Sequence, residues 1–421
     1  MSVIANILVG LCSTWTVAGL AATHHVTRRR AAPTLPSNLS PASDAPLPAI
    51  SVLKPLCGAD AGLERNLETF FTQDHHAFEL VFGVEDPADP ALEVVRALSE
   101  RYPAVKVVVV VHGQPSPRAA HDRPQSTEHS SEQSTAASRS GFNPKVRNLR
   151  GMLPHASHEL VLISDSNVRA PAHYVSELAA TYAADPALGI ITNLFAGVGE
   201  NTLGAALENV QLNGFCAAGS ALPTLLGDPL VIGKSMLMPR SLLERLGGLE
   251  RVKDVLAEDY VLGKTFQHAG YRVAIAPSVL SNVTSDMSLK AFHDRHLRWG
   301  MLRWRLRPPA YLLEILASPL WLLPLACWAY GLLPALVWCL SVTLLRDVGG
   351  WLLLRGRSRL WVPVLLGPLR EVIIAATWAR ALFKRHIQWR NNRVRLGAGT
   401  LLFEARGRPT PRPCILLRWA R

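Results

Sequence analysis

Charge is scarce in this chain: Asp, Glu, Lys and Arg together make up 18% of its 421 residues, against about a quarter in typical soluble domains. Hydrophobic residues make up 49%, which argues against wholesale disorder and raises the prospect that part of the chain meets a solvent other than water. Cysteine is scarce too. The six present, Cys12, Cys57, Cys216, Cys327, Cys339 and Cys414, are far apart, with no CxxC pair and no His at zinc-ligand spacing, so neither a disulfide framework nor a zinc site is supported. Acidic residues are outnumbered, 32 against 44 Lys and Arg, for a net charge of +12. That sign suits nucleic acid, an anionic membrane face or a phosphorylated substrate equally, and its distribution must decide. The length excludes one small domain and favours two regions, or a domain with membrane segments. No internal repeat is visible.

Charge is absent altogether from Met1 to Thr27, and the run Val3 to Ala22 is long enough to cross a hydrocarbon core of about 30 Å. Arg28, Arg29 and Arg30 follow it, whereas a cleaved signal peptide carries its positive charges first. Residues 1–27 are therefore predicted to be a retained anchor with the following chain in the cytoplasm. A second uncharged run, Ile315 to Leu345, is too long for one ordinary span and is interrupted by Pro324, Gly331 and Pro334. It predicts, with its flanks, a helical hairpin over 311–354 that breaks near Gly331 and returns Arg355, Arg357 and Arg359 to the cytoplasm. The last apolar stretch, Leu360 to Phe383, carries Arg370 and Glu371 at its centre, which is costly against lipid. Residues 355–421 are accordingly read as an interfacial or re-entrant helix followed by a basic tail.

Between these ends, residues 49–310 read as an α/β domain. Short β-branched runs, Ile50 to Leu53, Phe78 to Val84, Val105 to Val111, Glu159 to Ser164 and Leu188 to Thr192, alternate with helices beginning near Ala61, Asp89, Lys145 and Pro171. This alternation predicts a mostly parallel sheet covered by helices, with ligands bound outside the carboxyl ends of its strands. Residues 28–48 are rich in Pro, Ser and Ala and read as a linker. Residues 113–141 hold no Ile, Leu or Val and read as a disordered insertion.

Acidic residues gather where such a sheet binds ligands. Glu85-Asp86 ends one strand, Asp165-Ser166-Asn167 another, and Glu258-Asp259 falls in a later loop. Carboxylates there can hold a divalent metal that bridges two phosphates; any one alone could equally be a helix N-cap. Further on, Arg295-His296-Leu297-Arg298-Trp299 sets two guanidinium groups on one helix face. Before a membrane segment such a patch can be simple positive-inside charge, and without a basic groove motif it does not point to nucleic acid.

Taken in order, Ser51-Val52-Leu53-Lys54-Pro55-Leu56-Cys57-Gly58, Glu85-Asp86 with Asp89-Pro90-Ala91, Asn143-Pro144-Lys145 with Asn148-Leu149, Asp165-Ser166, Ala257-Glu258-Asp259-Tyr260 and Arg295-His-Leu-Arg298-Trp299 resemble the ceramide glucosyltransferases. The resemblance runs from about Pro48 to the Arg370-Glu371 pair. It implies a membrane-bound, inverting glycosyltransferase of the GT-A fold that moves glucose from UDP-glucose to a lipid hydroxyl. By the same resemblance Asp86 lies near the uracil and ribose, Lys54 and Lys145 lie on the nucleotide side, Glu258 is among the substrate-binding residues and Asp165 binds a divalent metal, Mn2+ or Mg2+. Asp259 is the catalytic base, while Arg295, Arg298 and Trp299 match the (Q/R)XXRW element that closes over the diphosphate. Animal members carry a histidine near the acceptor where this chain has Asn213-Gly214-Phe215-Cys216-Ala217. The implied partners are a UDP-sugar, a ceramide-like membrane lipid and the bilayer, with no nucleic acid. Rival readings are a hopanoid-type transferase with an N-acetylated donor, a processive polysaccharide synthase and a non-catalytic membrane scaffold.

Overall fold

A computed structural model describes residues 2–28, 46–60, 62–112, 141–185, 187–389 and 392–404. Most of the expected linker (29–45), the expected insertion (113–140) and the tail beyond 404 lie outside the described residues, as do Arg29 and Arg30. The chain divides into two compact units: one of Pro33–Asn193 and Leu230–Leu280, the other of Met1–Ala32, Leu194–Pro229 and Ser281–Arg421.

The first unit is built on a mixed sheet. Its strands are β1 (Ile50–Pro55), β2 (Phe78–Val84), β3 (Lys106–Val111), β4 (Leu160–Ser164), β5 (Val168–Arg169), β6 (Leu188–Val198), β7 (Ser235–Pro239) and β8 (Arg272–Val283), the last residues of β6 and β8 passing into the second unit. They lie in the order β3-β2-β1-β4-β7-β6-β8-β5. β1 pairs in parallel with β2 and β4, and β2 with β3, whereas β7 runs antiparallel to β4 and to β6. Ile50, Val52 and Leu53 of β1 and Leu80, Val81 and Phe82 of β2 are fully buried. Burial on both faces is why these strands read as unbroken apolar runs rather than as alternating ones. The helices α2 (Leu63–Phe71), α3 (Ala91–Arg101), α4 (Pro144–Met152) and α5 (Tyr174–Ala183) follow the order expected, giving an α/β layout. One expectation is corrected: Glu258-Asp259 is not in a loop but opens a helix, Glu258–His268.

The second unit is largely helical. α1 (Ser2–Arg28) is followed by α6 (Leu203–Gln211), a π-turn at Leu212–Cys216 and α7 (Ala217–Leu225). After α8 (Arg240–Arg245) and α9 (Glu258–His268) of the first unit come α10 (Leu289–Leu306), α11 (Pro308–Leu313), α12 (Pro319–Tyr330), α13 (Leu332–Arg355) and α14 (Trp361–Phe383). Among the described residues three helices, Val3–Arg28, Leu332–Arg355 and Trp361–Phe383, are long and apolar enough to cross a membrane. α12 and α13 meet at Gly331, whose φ of 85° is a conformation that glycine tolerates. The 12 residues of α12 reach only roughly 18 Å, short of a full span. With Pro308–Ala317 they form a pair bent by 56°, a broken span or a re-entrant loop rather than one straight arm of a hairpin.

The charges in the middle of α14 do not face lipid. Arg370 donates to Glu371 Oε2 (2.7 Å) and to Asp347, while Arg346 donates to Glu371 Oε2 (2.6 Å), Asp347 Oδ1 (2.9 Å) and the Ala317 carbonyl (2.9 Å). Ser318 Oγ completes the set by donating to Glu371 (2.5 Å). All four ionised side chains are buried, two cations against two anions. The cost that argued against α14 as a span is thus met by α13, and its length and composition stand as those of a spanning helix. Gly214 and Gly367 let the backbone close on this cluster, since a Cβ at either would come within 2.7 or 3.0 Å of an Asp347 oxygen.

Glu371→Ala should therefore leave two buried guanidinium groups with one carboxylate, at a cost of roughly 3–5 kcal/mol. Thermal unfolding in detergent checks this, and an Arg346→Met, Glu371→Leu pair, which restores the balance, should lose clearly less. A Glu371→Ala protein as stable as its parent would show that the cluster does not hold these helices together.

Candidate active site

The site of the first unit grows from the carboxyl end of β4. There the chain turns at Asp165-Ser166-Asn167, and the helix α4 brings a lysine to the same place. Asn143 caps α4, its Oδ1 accepting from the N–H groups of Lys145 (3.0 Å) and Val146 (3.1 Å), with Pro144 in the first turn. Asn148 Nδ2 then donates to the Gly83 carbonyl (2.9 Å) at the end of β2. A Cβ at Gly83 would lie 2.3 Å from Asn148 Oδ1, so the helix seats only over a glycine.

So held, Lys145 Nζ reaches Asp165 Oδ1 (3.0 Å), Glu258 Oε1 (3.1 Å) and the Gly233 carbonyl (2.9 Å). A second ammonium, Lys234 Nζ, lies 3.0 Å from Asp165 Oδ2 and donates to Asn167 Oδ1 (2.8 Å). A third lies beneath. Lys54 Nζ donates to the Asp165 carbonyl (2.8 Å) and Ser164 Oγ (3.3 Å) and sits 3.5 Å from the centre of the Phe70 ring. Glu258 also accepts from Asn143 Nδ2 (3.3 Å). Asp259 is turned by backbone donors, Oδ2 accepting from Gly233 N–H (2.8 Å) and Oδ1 from Tyr260 N–H (2.8 Å). Both acidic residues stand in the first turn of α9, where the helix dipole favours negative charge.

Burial opposes charge on Asp165, but Lys145 and Lys234 outweigh it and hold its carboxyl well below the ordinary range. Burial likewise opposes charge on Lys145, and Asp165, Glu258 and Asp259 more than reverse it. Glu258 goes the other way: burial first, and Asp259 beside it, push its carboxyl up against the pull of Lys145. Lys54, buried without any exposure, is held well below the ordinary lysine range by desolvation.

Of the residues expected at the site, Lys54, Lys145, Asp165, Glu258 and Asp259 come together. Lys54 does so from underneath, so its influence on a ligand runs through the Asp165 turn. Asp86 does not join them; its Oδ1 accepts from Ala88 N–H (2.9 Å) in a turn ahead of α3, whose N-cap is Pro90, so it is not a helix cap either. Glu85 pairs instead with Arg147 (2.5 Å). Lys234 and Gly233 were not anticipated. No sequence signal marks them, since they reach Asp165 and Asp259 through an antiparallel strand that the α/β alternation does not announce.

In the second unit Arg295, Arg298 and Trp299 lie on α10. Arg295 Nη1 donates to Glu208 Oε1 (2.9 Å), and His296 Nε2 lies 2.7 Å from Glu208 Oε2. Glu208 is wholly buried, yet His296 and Arg295 hold its carboxyl down at about 2 against that burial. The His296 ring stacks edge-on between Phe292 (4.7 Å) and Trp299 (5.2 Å). Arg298 has no hydrogen-bond partner among the described residues, and burial together with the charge of Arg295 lowers its affinity for its proton. Glu208 too was missed from the sequence.

No group of three or more His, Cys, Asp or Glu among the described residues is arranged to hold a metal by itself. Asp165 with the Asn167 amide oxygen supplies one carboxylate and one neutral donor. That set fits an ion of the Mg2+ or Mn2+ kind, which completes its shell with substrate phosphates, and not a cage made by the protein alone.

The carboxylates and lysines stand at strand ends of a mixed α/β sheet, the place where such sheets bind ligands. The chain belongs to glycosyl transferase family 21, whose profile matches residues 8–118 and 128–402. It is 29% identical over 271 residues to ceramide glucosyltransferase 1 of Caenorhabditis elegans, covering 64% of this chain and 53% of that one. To ceramide glucosyltransferase 3 of the same organism it is 27% identical over 377 residues, covering 85% and 74%. The chain thus spans about half the length of the first of these relatives. Among solved structures, a mannosyltransferase of Pyrobaculum calidifontis bound to GDP-Man and Mn2+ is similar at 20% identity and a TM-score of 0.41, over 89% of this chain and 99% of that one. That likeness is too distant to argue from.

Lys145 is the cation that opposes the upward push on Glu258, so Lys145→Met should raise the pH at which Glu258 takes up its proton. A carboxyl raised in the folded state contributes stability that is present at acid pH and lost as pH rises through its folded value. The variant should accordingly be closest to its parent in acid and fall behind as pH climbs. Infrared titration of the protonated carboxyl band checks the shift, and an unmoved band would sever Glu258 from Lys145.

Proposed function

We propose that the chain transfers glucose from UDP-glucose to the primary hydroxyl of a ceramide-like membrane lipid with inversion at the sugar carbon. The observation that carries this is the Lys145-bridged pair Asp165 and Glu258, with Asp259 next along the same helix turn, in a member of glycosyl transferase family 21. The names of the two relatives supply the sugar and the lipid.

In a single in-line displacement the lipid hydroxyl gives its proton to Asp259. Its oxygen forms the bond to the anomeric carbon, and the bond from that carbon to the diphosphate breaks, releasing UDP. Asp259 is suited to the base because backbone N–H groups aim it, whereas Glu258 is engaged by Lys145 and Asn143. Lys145 and Lys234 furnish positive charge at Asp165, where a departing diphosphate requires cations; Arg295 and Arg298 are proposed as further cations on the resemblance of their sequence element alone. Trp299 and Glu258 serve in shaping and binding, and Asp86 in placing the uridine. In place of the Lys234 ammonium, Mn2+ or Mg2+ held by Asp165 with the donor's own phosphates would supply neutralisation of that charge. Since UDP-sugars are cytosolic, the catalytic unit faces the cytoplasm, in accord with the Arg28 to Arg30 cluster after the first apolar run.

Asp259→Ala should lower transfer by about 10²–10⁴-fold while UDP binding stays near that of the parent, because the base acts on the acceptor's proton. Near-normal turnover would remove Asp259 from the mechanism. Mass spectrometry of lipids from cells expressing the chain names donor and acceptor together: a hexosylated sphingoid lipid is expected, and an N-acetylhexosaminyl polycyclic lipid would favour the hopanoid-type alternative. A reporter within residues 113–141 should be protected in sealed right-side-out vesicles, and access from outside would overturn the cytoplasmic orientation.

A further inference from the structure

We infer that Lys234 is a built-in occupant of the cation seat, able to serve the donor's diphosphate when no divalent ion is present. The inference rests on the transferase reading and deepens it. Lys234 Nζ contacts Asp165 Oδ2 at 3.0 Å and Asn167 Oδ1 at 2.8 Å, bridging the first and third side chains of Asp165-Ser166-Asn167. Those are the two oxygen donors this turn offers to a metal. An ion of the Mg2+ or Mn2+ kind needs carboxylate oxygens at about 2.0–2.2 Å. It cannot share that position with an ammonium group, because two cations so close repel strongly.

The lysine is also set on a fixed stem. Gly233 before it donates its N–H to Asp259 Oδ2 (2.8 Å) and accepts from Lys145 (2.9 Å) through its carbonyl. A Cβ at Gly233 would stand 2.8 Å from Asp259 Oδ2, so the close approach requires glycine. Ile232 is fastened to Thr192 Oγ1 through both its N–H (3.1 Å) and its carbonyl (3.2 Å). After it, Ser235 Oγ donates to Asn193 Oδ1 (2.7 Å) and lies 2.6 Å from the Tyr174 hydroxyl. With backbone and neighbours tied on both sides, the ammonium is delivered to Asp165 by construction. It neutralises the carboxylate that would otherwise repel a diphosphate, and it brings N–H donors that phosphate oxygens can accept.

The test is calorimetric titration of the full-length protein in detergent with UDP, with and without Mn2+, EDTA being added in the latter case. In the parent, UDP affinity should change by no more than about threefold between the two conditions. In Lys234→Met, affinity without metal should fall about tenfold or more, the expected loss of a charge-assisted contact. With Mn2+ it should return to the parental value or better. Lys234→Gln, which keeps a hydrogen-bond donor without the charge, should behave likewise and serves if the Met variant fails to fold. Metal dependence in both variants equal to that of the parent overturns the role of Lys234 while leaving the transferase reading intact. A folded parent that binds no UDP under either condition overturns both.

Discussion

A single ammonium group, Lys145 Nζ, is what makes separate pieces of the first unit into a site. It joins the turn after β4, through Asp165, to the first turn of α9, through Glu258, and takes the Gly233 carbonyl before β7 as a third partner. The three segments are far apart in sequence, and each would repel or desolvate the others without it. Two carboxylates brought close together cannot both stay ionised unless a cation stands between them. That need is visible in the opposite displacements of Asp165, held low by two lysines, and Glu258, pushed up by burial and by Asp259.

The same constraint recurs in the second unit, where the surroundings are apolar and the tolerance is smaller. Arg346, Asp347, Arg370 and Glu371 form a neutral set of four on α13 and α14, buried and mutually bonded. Such a cluster is weak as a source of net stability, because desolvation offsets most of the attraction, but it is exacting about partners. Removing one member leaves an uncompensated charge where no water can reach it. Glu208 is a smaller version, one buried carboxylate answered by Arg295 and His296.

What the sequence made legible follows from local chemistry. Strands buried on both faces appear as continuous aliphatic runs, so β1, β2, β4 and the start of β6 are found close to their observed limits, and β3, though half-exposed, is found by its unbroken run of valines. The helix at Asn143-Pro144-Lys145 announces itself through its cap and proline. Glu258 and Asp259 lack that signal because α9 starts after Ala257 with no side-chain cap, and the acids look like loop residues although they sit on a helix. Lys234 and Glu208 are illegible for another reason. Each acts through a partner distant in sequence, Asp165 and Arg295, and nothing local to either records the meeting. The charges of α14 are an intermediate case: Arg370 and Glu371 are conspicuous, but their answering pair lies on α13.

Charge balance in the first site sets what an arriving diphosphate must find there. Lys145 and Lys234 oppose Asp165 and Asp259, while burial displaces Lys54 and Glu258 each toward its neutral form, so the cluster as it stands is close to neutral. A diphosphate adds at least two negative charges to a half-buried place, where they are poorly screened. Protonating Glu258, whose carboxyl is already displaced upward, removes one unit of negative charge without moving any side chain. On the transferase reading, Lys234 turned toward a phosphate would itself supply a cation, and a divalent ion held at Asp165 would supply one in the lysine's place. A near-neutral resting cluster of this kind would need only one added cation, from Lys234 or from an ion, which is how a single firm carboxylate would suffice on the transferase reading.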